Sequence, residues 1–111
     1  MNTIWSEQIQ GVMTLYLSRK LRFDDLFFAQ YEKAFALDRH AALRILEIGC
    51  GPGARAEALH RWYPKAHITA IDRDSSFIAF AKEHIPGVDF LEGDAAHLPF
   101  AAQSFDVTIS N

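Results

Sequence analysis

The stretch Leu46-Glu47-Ile48-Gly49-Cys50-Gly51-Pro52-Gly53 constrains the fold of this chain more than any other. Three glycines at alternate positions follow the apolar run Ile45, Leu46, Ile48, and a helical pattern opens near Ala54. A short apolar run that stops at a glycine reads as a strand buried on both faces. The glycines remove side chains where a backbone turns sharply and comes close to a ligand. The helix behind them aims its free N–H groups and positive dipole end at the same crevice. An anionic group is therefore expected there.

The rest of the chain from Arg44 onward repeats this alternation. A helix from about Ala54 to Tyr63 is ended by Pro64, and a strand from His67 to Ile71 is closed by Asp72. Asp74 or Ser75 caps a helix through His84, which Pro86-Gly87 stops. Val88 to Leu91 and Phe105 to Ile109 read as the third and fourth strands. Strands alternating with helices imply a parallel sheet, because the crossovers are short and right-handed. Before about Leu43 the pattern is helical. Ile4, Ile9, Val12, Met13, Tyr16 and Leu17 mark one amphipathic helix. Asp24 or Asp25 could cap a second, carrying Leu26, Phe27, Tyr31, Ala34 and Phe35 on one face. The division expected is a helical cap over residues 1–43 and an α/β unit over 44–111.

Several function classes fit poorly. The 111 residues carry a formal net charge of −3. Their short basic cluster, Arg19, Lys20 and Arg22, is explained by a solvated helix end. Neither nucleic acid nor an anionic membrane is the expected partner. Cys50 is the single cysteine, so no intrachain disulfide forms. It has no evident partner base and is not expected to act as a nucleophile. No basic leader and no apolar stretch of about 20 residues appears, so a soluble cytoplasmic protein is the expectation. The five histidines, His40, His60, His67, His84 and His97, show no metal-ligand spacing.

Asp72 stands at the end of the second strand, about twenty residues beyond Gly51, where a carboxylate accepts from both hydroxyls of a ribose. This much suits a nicotinamide or flavin dinucleotide as well, since Gly49 to Ala54 satisfies G-x-G-x-x-A. Three further features separate the readings. Glu47 extends the glycines to E-x-G-x-G-x-G, the third strand runs into Gly93-Asp94-Ala95, and the fourth opens Ser104-Phe105-Asp106-Val107 and reaches Ser110-Asn111. With these motifs in this order, the stretch from about Arg44 to Asn111 resembles the class I S-adenosylmethionine-dependent methyltransferases. The likeness is to the small-molecule type that includes ubiquinone- and menaquinone-biosynthesis enzymes.

The resemblance implies a Rossmann-like sheet of strand order 3-2-1-4, with an N-terminal helical cap. It implies S-adenosylmethionine as cofactor, S-adenosylhomocysteine as product and a small-molecule methyl acceptor. Glu47, Gly49, Cys50, Gly51 and Gly53 would hold the methionine part through backbone groups and ordered water. Asp72 would bind the ribose, and Arg73 would lie beside the adenine. Asp94 would accept from the adenine amino group, the Ala95 N–H would reach a ring nitrogen, and Asn111 would stand beside the sulfonium. Tyr16 and Tyr31 are candidates for an acceptor pocket, with core packing the stronger expectation. The resemblance names no general base. The family sheet has seven strands, so a chain ending at Asn111 is expected to expose its fourth strand, to self-associate or be complemented there, and to be weakly active or inactive alone. A non-catalytic module pairing with a partner chain is a third reading.

Overall fold

The computed structural model describes residues 3–24, 26–30, 37–97 and 104–110, and in the first helix the side chains from residue 11 onward. The element order is α1 (Thr3–Arg22), β1 (Arg44–Ile48), α2 (Ala54–Trp62), β2 (His67–Asp72), α3 (Ser75–His84), β3 (Asp89–Glu92) and β4 (Val107–Ser110). Residues 26–30 are also helical. The four strands make one sheet of order β3-β2-β1-β4, with every pairing parallel. This is the expected Rossmann-like order. The chain steps from β1 outward to β3 and returns to the other side of β1 as β4. A crevice therefore opens at the carboxyl ends of β1 and β4, where strand order reverses.

Local chemistry accounts for the element boundaries. Asp74 caps α3, its Oδ1 accepting from the Ser76 N–H at 2.9 Å. Asp24 Oδ1 accepts from the Phe27 N–H at 2.9 Å, so Asp24 starts the 26–30 helix. Asp25, Tyr31, Ala34 and Phe35 lie outside the described residues. β3 begins one residue later than expected, and β4 begins at Val107 rather than Phe105. Asp106 explains the second shift. Its N–H donates to the Arg44 carbonyl at 2.8 Å and its carboxylate accepts from the Arg44 N–H at 2.8 Å. The Arg44 guanidinium closes the clamp at 3.1 Å.

The core lies between the sheet and its helices. Ile45, Ile68, Ala70 and Phe90 from the strands meet Ala56, Leu59 and Trp62 of α2 and Ile78 and Ala81 of α3. Val12, Tyr16, Phe23 and Phe28 belong to the same buried cluster. The inward stripe of α1 and the residue after it is Val12, Tyr16, the half-buried Arg19 and Phe23, spaced four, three and four residues apart. Leu17, expected on this face, is 50% exposed because it sits off the stripe.

Tyr16 fastens α1 to the α/β unit. Its ring lies 5.3 Å from that of Phe80, and its hydroxyl stands 2.7 and 2.8 Å from the two Glu57 oxygens. Lys20 adds its ammonium 3.6 Å from Glu57. Tyr16 thus packs and bonds as a core residue. Tyr16→Phe keeps the ring and removes a bond to a charged acceptor. Chemical denaturation should show a loss of about 1–2 kcal/mol; an unchanged midpoint would mean the hydroxyl adds nothing to docking.

Candidate functional site

β1 ends at Ile48 and the backbone turns back under β2. The N–H groups of Gly49 and Cys50 both donate to the Ile71 carbonyl, at 2.9 and 3.0 Å. Gly51 and Gly53 then take φ values of 57° and 99°, conformations that L side chains rarely adopt. Gly53 is the N-cap of α2 and supplies no side-chain cap, which leaves the helix dipole facing the crevice. Asp72 closes the turn from the other side. Its Oδ2 accepts from the Gly51 N–H and its Oδ1 from the Asp74 N–H, each at 2.9 Å. The carboxylate is held in place and keeps further lone pairs for ligand hydroxyls.

Beneath the loop lies Glu47, 1% exposed. Arg55 Nε stands 3.4 Å from Glu47 Oε2 as an ion pair. Neither carboxylate oxygen receives a hydrogen bond among the described residues. Burial pushes the Glu47 carboxyl up to about 7; Arg55 and Arg19 counter the rise, and Asp72 adds to it. A buried carboxylate without hydrogen bonds is costly in a protein interior, and a cationic ligand group would relieve it. The carboxylate faces a cleft of about 220 Å³ that Arg19, Arg22, Phe23, Cys50 and Arg55 also line. The Cys50 thiol is buried, and its acidity is suppressed by that burial and then by Glu47 and Asp72. It stays neutral and donates weakly to the Gly51 carbonyl.

At the other end of the crevice, Arg73, Glu92, Gly93 and Asp94 border an open depression of about 390 Å³. Asp94 is held below the usual carboxylate range, first by the Ala96 N–H donating at 3.0 Å, with Arg73 contributing. Asp72 and Glu92 are register partners on β2 and β3, so carboxylates stand side by side where those strands end.

Of the residues singled out from sequence, Glu47, Gly49, Cys50, Gly51, Gly53 and Asp72 converge on one turn. Arg73, Asp94 and Ala95 gather at the second depression or beside it. Asn111 lies outside the described residues. The basic cluster is not merely a solvated helix end. Lys20 binds the Tyr16–Glu57 pair, and Arg19 and Arg22 face the cleft. The signal was the spacing that puts Arg19 between Tyr16 and Phe23 on one helical face. Glu92 was missed because it falls one residue beyond the expected third strand, and its place beside Asp72 is set by sheet register. No group of three or more His, Cys, Asp or Glu side chains able to hold a metal occurs among the described residues. No helix among them is long and apolar enough to cross a membrane.

A sequence profile described as a methyltransferase domain matches residues 45–111. The chain belongs to the S-adenosylmethionine-dependent methyltransferase family. This decides against the dinucleotide reading. A fatty-acid O-methyltransferase of Mycolicibacterium smegmatis is 29% identical, over 95% of this chain and 48% of its own. A malonyl-acyl-carrier-protein O-methyltransferase of Bacillus cereus is 44% identical over 64% of this chain and 27% of its own. The plantazolicin methyltransferase BpumL, solved with S-adenosylhomocysteine, superposes with a TM-score of 0.64 at 25% identity, covering 89% of this chain and 39% of that one. The methyltransferase chain thus spans between about a quarter and half of the length of the curated relatives it matches. The matched residues begin one position after β1 opens.

Proposed function

We propose that this chain forms the cofactor-binding portion of a methyltransferase acting on a small molecule. The observation that carries the proposal is the buried, hydrogen-bond-poor Glu47 carboxylate beside the positive-φ glycine turn. When bound, S-adenosylmethionine supplies a methyl group on a sulfonium, and in-line transfer to the acceptor leaves a neutral thioether. The protein's work is then binding and alignment. Glu47 accepts from the cofactor's ammonium, Asp72 from the ribose hydroxyls, and Asp94 from the adenine amino group. Arg73 flanks the adenine, and the Ala95 N–H donates to the ring. Asn111, outside the described residues, is assigned by this reading to the sulfonium side of the site. Residues 1–43 act as a cap on the 44–111 unit.

Support comes from the fit of donors to acceptors along the crevice, and from relatives named for fatty-acid and malonyl acceptors. The direct test is calorimetric titration with S-adenosylhomocysteine beside an Asp72→Ala variant. Two lost charge-assisted bonds predict weakening of at least about 100-fold. Equal affinity in the variant, or no binding by the folded parent, would remove the assignment. We also propose that β4, whose outer edge pairs with no strand among the described residues, recruits a further strand from a second copy or a complementing segment. A monodisperse monomer at high concentration would contradict the second-copy arrangement.

A further inference from the structure

We infer that α1 is a wall of the cofactor cleft, with Arg19 binding the carboxylate of the cofactor's amino-acid end opposite Glu47. The inference rests on the cofactor reading above and goes beyond it. Arg19 lies outside the matched residues 45–111, on a helix otherwise assigned to capping.

Three observations support it. Arg19 is half-buried on the inward face of α1, between Tyr16 and Phe23, and reaches over the glycine turn. A Cβ built on Gly51 would collide with its guanidinium. Next, the cleft sets three guanidiniums, Arg19, Arg22 and Arg55, against the single Glu47 carboxylate. That imbalance favours a ligand carrying a negative charge as well as the positive one that Glu47 accepts. An α-amino acid zwitterion has both charges one carbon apart.

Of the neighbouring cations, all but Arg22, exposed at the last position of α1, already have partners among the described residues. Lys20 is bound to Tyr16 and Glu57, while Arg55 pairs with Glu47 and lies over the Phe23 ring. Arg61 donates to the Phe23 carbonyl, and Arg39 to that of Trp62. Arg19 makes no hydrogen bond or ion pair among the described residues, yet it is close enough to act on the Glu47 charge. A planar fork suits a carboxylate, and a half-buried position strengthens the bond. The Tyr16–Glu57 bond, one turn away, fixes the helix from which Arg19 reaches.

The test compares two ligands on the full chain. S-adenosylmethionine carries the carboxylate; its decarboxylated analogue keeps the ammonium, sulfonium and adenosine. Calorimetry on Arg19→Ala should show about 10- to 100-fold weaker binding of the first and at most about a twofold change for the second. Arg19→Lys should recover part of the loss. Equal losses for both ligands would assign Arg19 a structural role and overturn the inference, as would no loss for either. Parent protein that binds neither ligand would instead overturn the cofactor reading on which the inference stands. Asp72→Ala, which should weaken both ligands alike, separates these failures.

Discussion

Glu47→Gln is expected to raise the melting temperature at pH 8 while weakening cofactor binding. The carboxyl is pushed from 4.5 to about 7 in the folded chain, chiefly by burial. A folded value above the unfolded one means that the native state holds this proton more tightly. The ionisation penalty is therefore absent below about pH 4.5, grows between there and pH 7, and is complete above. At about 1.4 kcal/mol per unit it reaches roughly 3 kcal/mol at pH 8. A neutral amide of the same shape escapes that cost. For a domain of this size the gain corresponds to a rise on the order of 10 °C. Melts from pH 4 to 8 should show parent and variant converging at the acid end. Coincident melting curves at pH 8 would sink the argument. Binding should move the opposite way: the parent's affinity for S-adenosylhomocysteine falls as pH drops through 7, whereas the variant binds weakly with a flatter profile. Stability given up at this position is the sign of a group kept for a ligand.

The β-α-β half of the molecule was legible because its signals are local. Ile45-Leu46 and Ile68 to Ile71 are apolar runs bounded by turn residues, and they became strands at the expected places. Asp74 and Asp24 cap helices because a short acceptor reaches the N–H groups two and three residues on. Asp106 was read as part of a strand, yet its carboxylate and N–H clamp Arg44, a contact 62 residues away that alternation cannot reveal. The same limit applies to the cleft. Glu47 and the glycines announce themselves by spacing. Arg19 and Arg22 enter the site only because α1 packs across α2 and α3. A basic helix end has an adequate local explanation in the helix dipole, and this hid the longer-range one.

Gly53→Ala is expected to destabilise the chain by about 2–5 kcal/mol, and it separates two reasons for the glycines. At φ 99° any L side chain is strained, at about 1–2 kcal/mol. A Cβ there would also stand 2.7 Å from Ile85 Cδ1 and 3.0 Å from Phe90 Cζ. Those side chains are buried, so crowding adds about 1–3 kcal/mol. Single domains hold only about 5–15 kcal/mol in total, and the urea midpoint should fall sharply. Gly93→Ala is the matched control, since a Cβ there meets nothing within 4 Å and its φ is not in the positive region. Its stability should change by no more than about 0.5 kcal/mol. Equal midpoints for the two variants would mean that the third glycine of the turn serves only ligand approach. The expected contrast means that Gly53 lets α2 close onto the α3–β3 side of the core. The cleft next to Glu47 is then built on a packing requirement before any ligand arrives.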